Sequence, residues 1–242
     1  MATGTSINAG AGAVIFDMRS GAGKTNSTGG VITLTSITGS TITIQNSSVT
    51  NGDIVLSSGA SLTGTAAGNA VVLAAGDQFI NNDGTTPIST PNGRFLVYSQ
   101  NWATDTRGGI AGNNLYNRTY AGNPPASITQ TGNLFIYAAQ PTLTVTANNA
   151  SRTYGAANPT FTTSVTGMVN GDTAGYAFSG AANVSSAATN TTAAGLYVGS
   201  IVPTLGTLTS DVGYAFSFVN GNLTINPAAL TITANSTSKT YG

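Results

Sequence analysis

Side chains that could do acid, base or metal chemistry are few in this 242-residue chain: seven aspartates (Asp17, Asp53, Asp77, Asp83, Asp105, Asp172 and Asp211), with no Glu, His or Cys. Glycoside hydrolysis and other general acid–base reactions need paired carboxylates or a histidine of shifted pKa. A serine nucleophile needs a base beside it. Asp77 and Asp83 are the closest pair, and both fall in Gly/Asn-rich turns, where aspartate is favoured for bonding its own backbone. Calcium would require a repeated loop of oxygen ligands, and Asn170-Gly171-Asp172 reads first as a turn. Lys24 and Lys239 stand in polar turn sequence, a poor setting for a buried isopeptide cross-link. The expectation is no catalytic residue, no cofactor and no metal site, in a chain that is not an enzyme; a glycan lyase is disfavoured for want of acid and base.

One constellation could bind rather than react. Arg94, Arg107 and Arg118 occur with Asp105 among the aromatics Phe95, Tyr98, Trp102, Tyr116, Tyr120, Phe135 and Tyr137. They could form a buried, stacked network, or Trp102, Tyr116 and Arg107 could present a shelf for a sugar ring. Capping is the favoured role, and a carbohydrate-binding β-helix module is the alternative.

The elements that hold these residues must be strands. Exposed helices are normally solubilised by Glu, Lys and Arg, whereas this chain draws its polarity from Thr, Ser, Asn and 31 Gly. Thr, Val, Ile and Tyr favour a pleated strand, and Gly, Asn and Asp supply the turns. The class is all-β. Net charge is zero with no basic stripe, so neither nucleic acid nor an anionic membrane surface is an expected partner. No apolar run approaches the roughly 18 residues of a membrane span, and residues 1–20 lack the basic start and apolar centre of a signal peptide.

Short apolar clusters at Val14–Phe16, Val31–Leu34, Ile54–Leu56, Val71–Leu73 and Phe95–Val97 are separated by Gly, Asn, Ser and Thr. Their spacing gives a solenoid-like period of about 20 residues. A right-handed parallel β-helix explains it, with inward Val, Ile and Leu forming one continuous core over residues 1–100, and the aromatic-rich stretch 101–140 as its cap and transition region. Farther on, LTVTANNASRTYG (143–155) returns as LTITANSTSKTYG (230–242), a period of 87 residues, with Val145/Ile232 and Arg152/Lys239 conservative. Pro141 and Pro227 punctuate the copies, since proline cannot sit inside a ladder. A complete module, a small β-sandwich or β-grasp-like fold, is therefore expected at 141–227, with the start of a second at 228–242. Asn170-Gly171-Asp172 and Asn220-Gly221-Asn222 are its best hairpin signals.

The run Ala75–Asn82 and, beyond it, Thr90–Ser99 resemble the end of the β-helical passenger of filamentous-haemagglutinin-like proteins exported by two-partner secretion. Gln140–Val145, Ser151–Gly155 and Val219–Ile225 resemble the MBG repeat of the YGX type found after such passengers. The resemblance implies an adhesin-like stalk, extracellular at the bacterial cell surface or associated with the outer membrane. It also implies an outer-membrane transporter as partner during export, and receptors or glycans of host or neighbouring cells as binding partners. An upstream secretion domain and further 87-residue copies are expected in the full-length protein.

Overall fold

Val, Ile and Leu at alternate positions make strands that need a core on one face, and here coil stacks on coil to provide it. The computed structural model describes residues 6–18, 30–46 and 51–242; Lys24 lies outside them. The chain divides into two compact units, residues 1–142 with 168–179 and 210–215, and residues 143–167 with 180–209 and 216–242.

Unit 1 holds eleven strands among its described residues: β1 (Ser6–Asn8), β2 (Val14–Met18), β3 (Ile32–Gly39), β4 (Ile42–Asn46), β5 (Ile54–Gly64), β6 (Gly68–Ala75), β7 (Phe79–Asn81), β8 (Ile88–Ser89), β9 (Gly93–Ser99), β10 (Asn113–Leu115) and β11 (Leu134–Tyr137). They form two parallel sheets, one ordered β1-β3-β5-β7 with β8 also on β5, the other β10-β11-β9-β6-β4-β2. Register places like on like. Leu34 faces Leu56 in the first sheet, and Phe16, Ile44, Leu73, Val97 and Phe135 form one column in the second. This is a parallel β-helix, all-β as expected. Its repeat is longer than the expected 20 residues. Phe16 pairs with Ile44 and Ile44 with Leu73, 28 and 29 residues on, while Leu34 pairs with Leu56 after 22. The clusters at Val14–Phe16, Val71–Leu73 and Phe95–Val97 belong to the second sheet and those at Val31–Leu34 and Ile54–Leu56 to the first, so the clusters counted as successive repeats are drawn from two different faces of the stack.

The stretch expected to be a cap both extends and covers the stack. β9, β11 and β10 continue the second sheet, and residues 117–133 close over its outer face. There Asn69 Nδ2 donates to Pro125 O (3.0 Å), Arg94 donates to Ile128 O (2.8 Å) and Gln130 O, and Tyr98 OH donates to Asn123 O (2.9 Å). This explains why Val72, Leu96 and Leu134 are buried although they sit on the sheet's outward side, while Ile15, in the same column but on the edge strand β2, is 68 % exposed.

Unit 2 is built from β12 (Thr142–Ala147), β13 (Ala150–Thr153), β14 (Thr163–Thr166), β15 (Asn183–Ser185), β16 (Gly195–Thr204), β17 (Ala215–Val219) and β18 (Gly221–Asn226). They form a sheet β14-β12-β17 and a sheet β13-β18-β16-β15. Leu143, Val145 and Ala147 are buried while Thr144 and Thr146 are half-buried, the alternation the sequence predicts. Ala147 from the first sheet shares a core with Ile201, Leu223 and Ile225 from the second, so the module is a two-sheet sandwich. Neither Asn-Gly turn closes a hairpin. Asn220 joins β17 to β18, which belong to different sheets, and a Cβ on Gly221 would come within 2.5 Å of Ala147 O. Asn170 and Gly171 both take positive φ (54° and 75°), the backbone of a type I′ turn, but the turn leads into the short helix α1 (Ala174–Ala177). Residues 227–242 form no regular element, and Leu230 and Ile232, the counterparts of Leu143 and Val145, are each 84 % exposed. Unlike β12, this second copy of the strand has no neighbour to pair with among the described residues, and a lone strand is not stable.

Candidate functional site

The aspartates answer first for the chemistry they could do. Asp53 Oδ1 accepts from Gln78 N (3.1 Å), Asp77 from Asn51 N (3.3 Å), Asp83 from Gly59 N (2.7 Å) and Asp105 from Phe79 N (2.9 Å). Each bond joins residues 24 to 26 apart, about one coil. These carboxylates clasp one coil corner to the next by capping backbone N–H groups that the ladders leave over. Asp83 is held below its usual range by the Thr85 hydroxyl and then by Gly59 N–H.

Asp105 is the exception in its electrostatics. Burial is the main cause raising its carboxyl to about 6, against the lowering pull of the Ser99 hydroxyl, Phe79 N–H and Arg107, with Asp77 adding to the rise. An acid whose pKa is higher folded than unfolded favours the fold when protonated. Its contribution is complete below the unfolded value and disappears as pH rises through about 6. We expect unit 1 to lose roughly 2 kcal/mol from this group between about pH 4 and about pH 7. Asp105→Asn, which keeps an acceptor for Phe79 N–H, should flatten that slope. Denaturant titrations at both pH values, read by Trp102 fluorescence, check it; equal slopes for variant and wild type would refute the assignment.

The three residues singled out as a shelf do come together. Trp102 meets Tyr116 edge to face at 5.4 Å and Tyr137 at 6.3 Å, and Tyr116 stacks on Tyr137 at 5.7 Å. Arg107 places its guanidinium carbon 3.9 Å over the Phe135 ring and donates from Nε to Tyr137 OH (3.1 Å) and from Nη2 to Asn114 Oδ1. Tyr116 is fully buried, while Trp102 and Arg107 are half-buried, so the latter two carry what surface the cluster has. Arg94 and Arg118 anchor elsewhere, on loop carbonyls, and do not join Arg107 in one network.

At the centre of the cluster is a residue that sequence reading takes only as part of a turn. Asp172 Oδ2 accepts from Tyr116 OH and Tyr214 OH, both at 2.8 Å, and Oδ1 accepts from Asn114 Nδ2 at 2.6 Å. The Asn170-Gly171 turn, closed by Asp172 N donating to Val169 O (3.0 Å), sets the aspartate in this position. Burial first, then the bonds with Tyr214 and Asp172, hold the Tyr116 hydroxyl far above the phenol range, and burial pushes Tyr137 up to about 12 although Arg107 opposes it. Both therefore stay protonated, Tyr116 donating to Asp172 and Tyr137 accepting from Arg107. With three donors on its two oxygens, this carboxylate ties Asn114, Tyr116 and Tyr214 together. Among the described residues no group of three or more His, Cys, Asp or Glu could hold a metal ion.

In unit 2 the signature Ser151–Gly155 has a mechanical reading. Arg152 is 7 % exposed. Its Nε donates to Asn158 Oδ1 (2.7 Å), Nη1 to Thr153 O (3.3 Å) and Nη2 to Thr189 O, while Asn158 Nδ2 donates to Ala188 O (2.7 Å) and Gly155 N to Asn190 O (3.1 Å). A planar fork of donors suits three acceptors at fixed angles. Lys239, at the same place in the second copy, is exposed.

Residues 143–224 match the family model of the MBG domain (YGX type). The MBG domain is a repeat domain typical of surface or secreted proteins. No curated protein and no solved structure matches the chain. Within the MBG domain the matched residues span β12 to β18, including the Arg152 anchor, and the second copy of its opening motif begins six residues beyond the match.

Proposed function

We propose that this chain is part of a stalk or adhesin of a bacterial surface or secreted protein, in which the β-helix projects and the MBG module spaces binding regions for cell adhesion. The observation that carries this reading is the pairing of a parallel coil stack with an MBG domain. The aspartates bonded to the backbone of neighbouring coils support a structural role without catalysis. Export by two-partner secretion, with an outer-membrane transporter as partner, and a filamentous-haemagglutinin-like identity belong to the same proposal, as do receptors or glycans of other cells as ligands. Antibodies raised against the MBG module should label intact source cells or their culture supernatant. Labelling that appears only after the cells are permeabilised would overturn the reading.

A further inference from the structure

The parallel stack brings the ends of β4, β6, β9 and β11 into line, and a cavity of about 250 Å³ opens there, lined by Gln45, Asn46, Ala74, Tyr98, Arg118 and Tyr120 among others. Its floor is buried, with Gln45 7 %, Asn46 0 %, Ala74 6 % and Tyr98 2 % exposed. One side-chain oxygen on that floor, Gln45 Oε1, has no hydrogen-bond partner among the described residues; Gln45 lies in register with Ala74 and Tyr98 on the same side of the sheet. Asn46, the next residue along the strand, turns to the opposite face, where its Nδ2 donates to Gly30 O (2.5 Å) and Asp53 O (3.1 Å). A buried acceptor without a donor carries a penalty of about 1–3 kcal/mol, so Gln45 Oε1 at this cavity points to a missing donor.

The wall opposite is fixed in advance. Asn117 N donates to Ala139 O (3.2 Å) and Arg118 N to Tyr137 O (3.0 Å). The Arg118 guanidinium is held by the carbonyls of Tyr116, Val212 and Asp211 at 3.4, 3.3 and 2.9 Å, which take three of its five N–H donors. Tyr120 stands edge to face on Tyr98, ring centroids 5.2 Å apart. The volume far exceeds the ~10–15 Å³ that one trapped water needs and lies just below the roughly 300 Å³ at which pockets for drug-sized ligands begin. That is room for one ring. The ring must donate hydrogen bonds at its inner end, present an apolar face to alanine and tyrosine, and offer oxygens to arginine.

A pyranose meets all three demands. We propose that this cavity binds a single sugar residue of a glycan, one of whose hydroxyls donates to Gln45 Oε1 and whose C–H face lies against Tyr120. This rests on the glycan partners of the proposed function and names a site for them; its failure would leave the surface location, which the antibody labelling decides, untouched. The test is a glycan array probed with the full chain, and then calorimetric titration with the free monosaccharide common to the bound glycans. Wild type should bind saturably. Gln45→Leu and Tyr120→Ala should each weaken binding about tenfold or more, the loss expected for one buried hydrogen bond or ring contact, and Ala74→Phe, which fills the cavity, should abolish it. Tyr120 is half-buried on the rim, so its variant keeps the test valid even if Ala74→Phe does not fold. A wild-type chain that binds no arrayed glycan, or binding unchanged in both Gln45→Leu and Tyr120→Ala, overturns the proposal and leaves the Gln45 carbonyl to water.

Discussion

Replacing Phe135 with alanine should destabilise unit 1 by about 3–5 kcal/mol, the cost of removing a fully buried aromatic ring. Phe135 is 0 % exposed and is the last apolar side chain of the column that runs up the second sheet from Phe16, with Asn114 of β10 beyond it. Its ring contacts Phe95 at 5.6 Å and Phe79 at 6.0 Å, so its removal opens a void against both sheets at once. It is also the face on which Arg107 rests at 3.9 Å, and losing it strips a half-buried cation of an attraction of about 0.5–2 kcal/mol. The measurement is a denaturant titration monitored through Trp102, the one tryptophan in the chain. Ile15→Ala serves as the contrast: the same sheet, but a residue 68 % exposed, with an expected change of about 0.5 kcal/mol or less. If the two variants unfolded alike, the column would not be the core of the stack.

Asp172→Ala should be nearly as damaging, at roughly 3 kcal/mol. The substitution removes little apolar contact but withdraws the acceptor from Tyr116 OH, Tyr214 OH and Asn114 Nδ2 together. Each stranded buried donor carries a penalty of about 1–3 kcal/mol, and the sum is reduced because neighbours in one network share the loss. Tyr214 OH has a second, weaker acceptor in Val169 O at 3.5 Å, whereas the fully buried Tyr116 hydroxyl depends on Asp172. Asp172→Asn retains one acceptor oxygen and should cost less than half as much. The same fluorescence titration decides it: a change in Asp172→Ala below about 0.5 kcal/mol, the range of ordinary surface substitutions, would mean that the network is ornamental.

The degree to which this fold can be read from residues differs sharply between its parts. The strand class is legible in Thr, Val and Gly standing in place of Glu and Lys, and the module in the duplicated LTxTAN and TYG segments, because both are signals carried by local residue type. Coil length is not legible in the same way: Leu34 and Leu73 look alike in sequence although they point from different sheets, and only pairing separates them. The buried outer face of the second sheet is hidden for a related reason, since Val72 and Leu96 break strict alternation and the segment covering them lies tens of residues downstream. Asn170-Gly171 announces a turn correctly but not the helix after it, because the backbone of a type I′ turn fits a hairpin and also a helix entry. Trp102, Arg107 and Tyr116 stand out by their crowding with other aromatics. Asp172 escapes notice as their hub because it is distant in sequence, and Gln45 and Asn46 because an amide at the end of a strand carries no signal of being left without a partner.

The coil-corner clasps bear on the water this protein can live in. Asp53, Asp77, Asp83 and Asp105 satisfy backbone amides rather than distant cations, and the chain as a whole is electrically neutral. Dissolved ions weaken attractions between separated surface charges and leave short contacts with amide dipoles largely intact. Coils fastened this way keep their stacking from fresh water to brine.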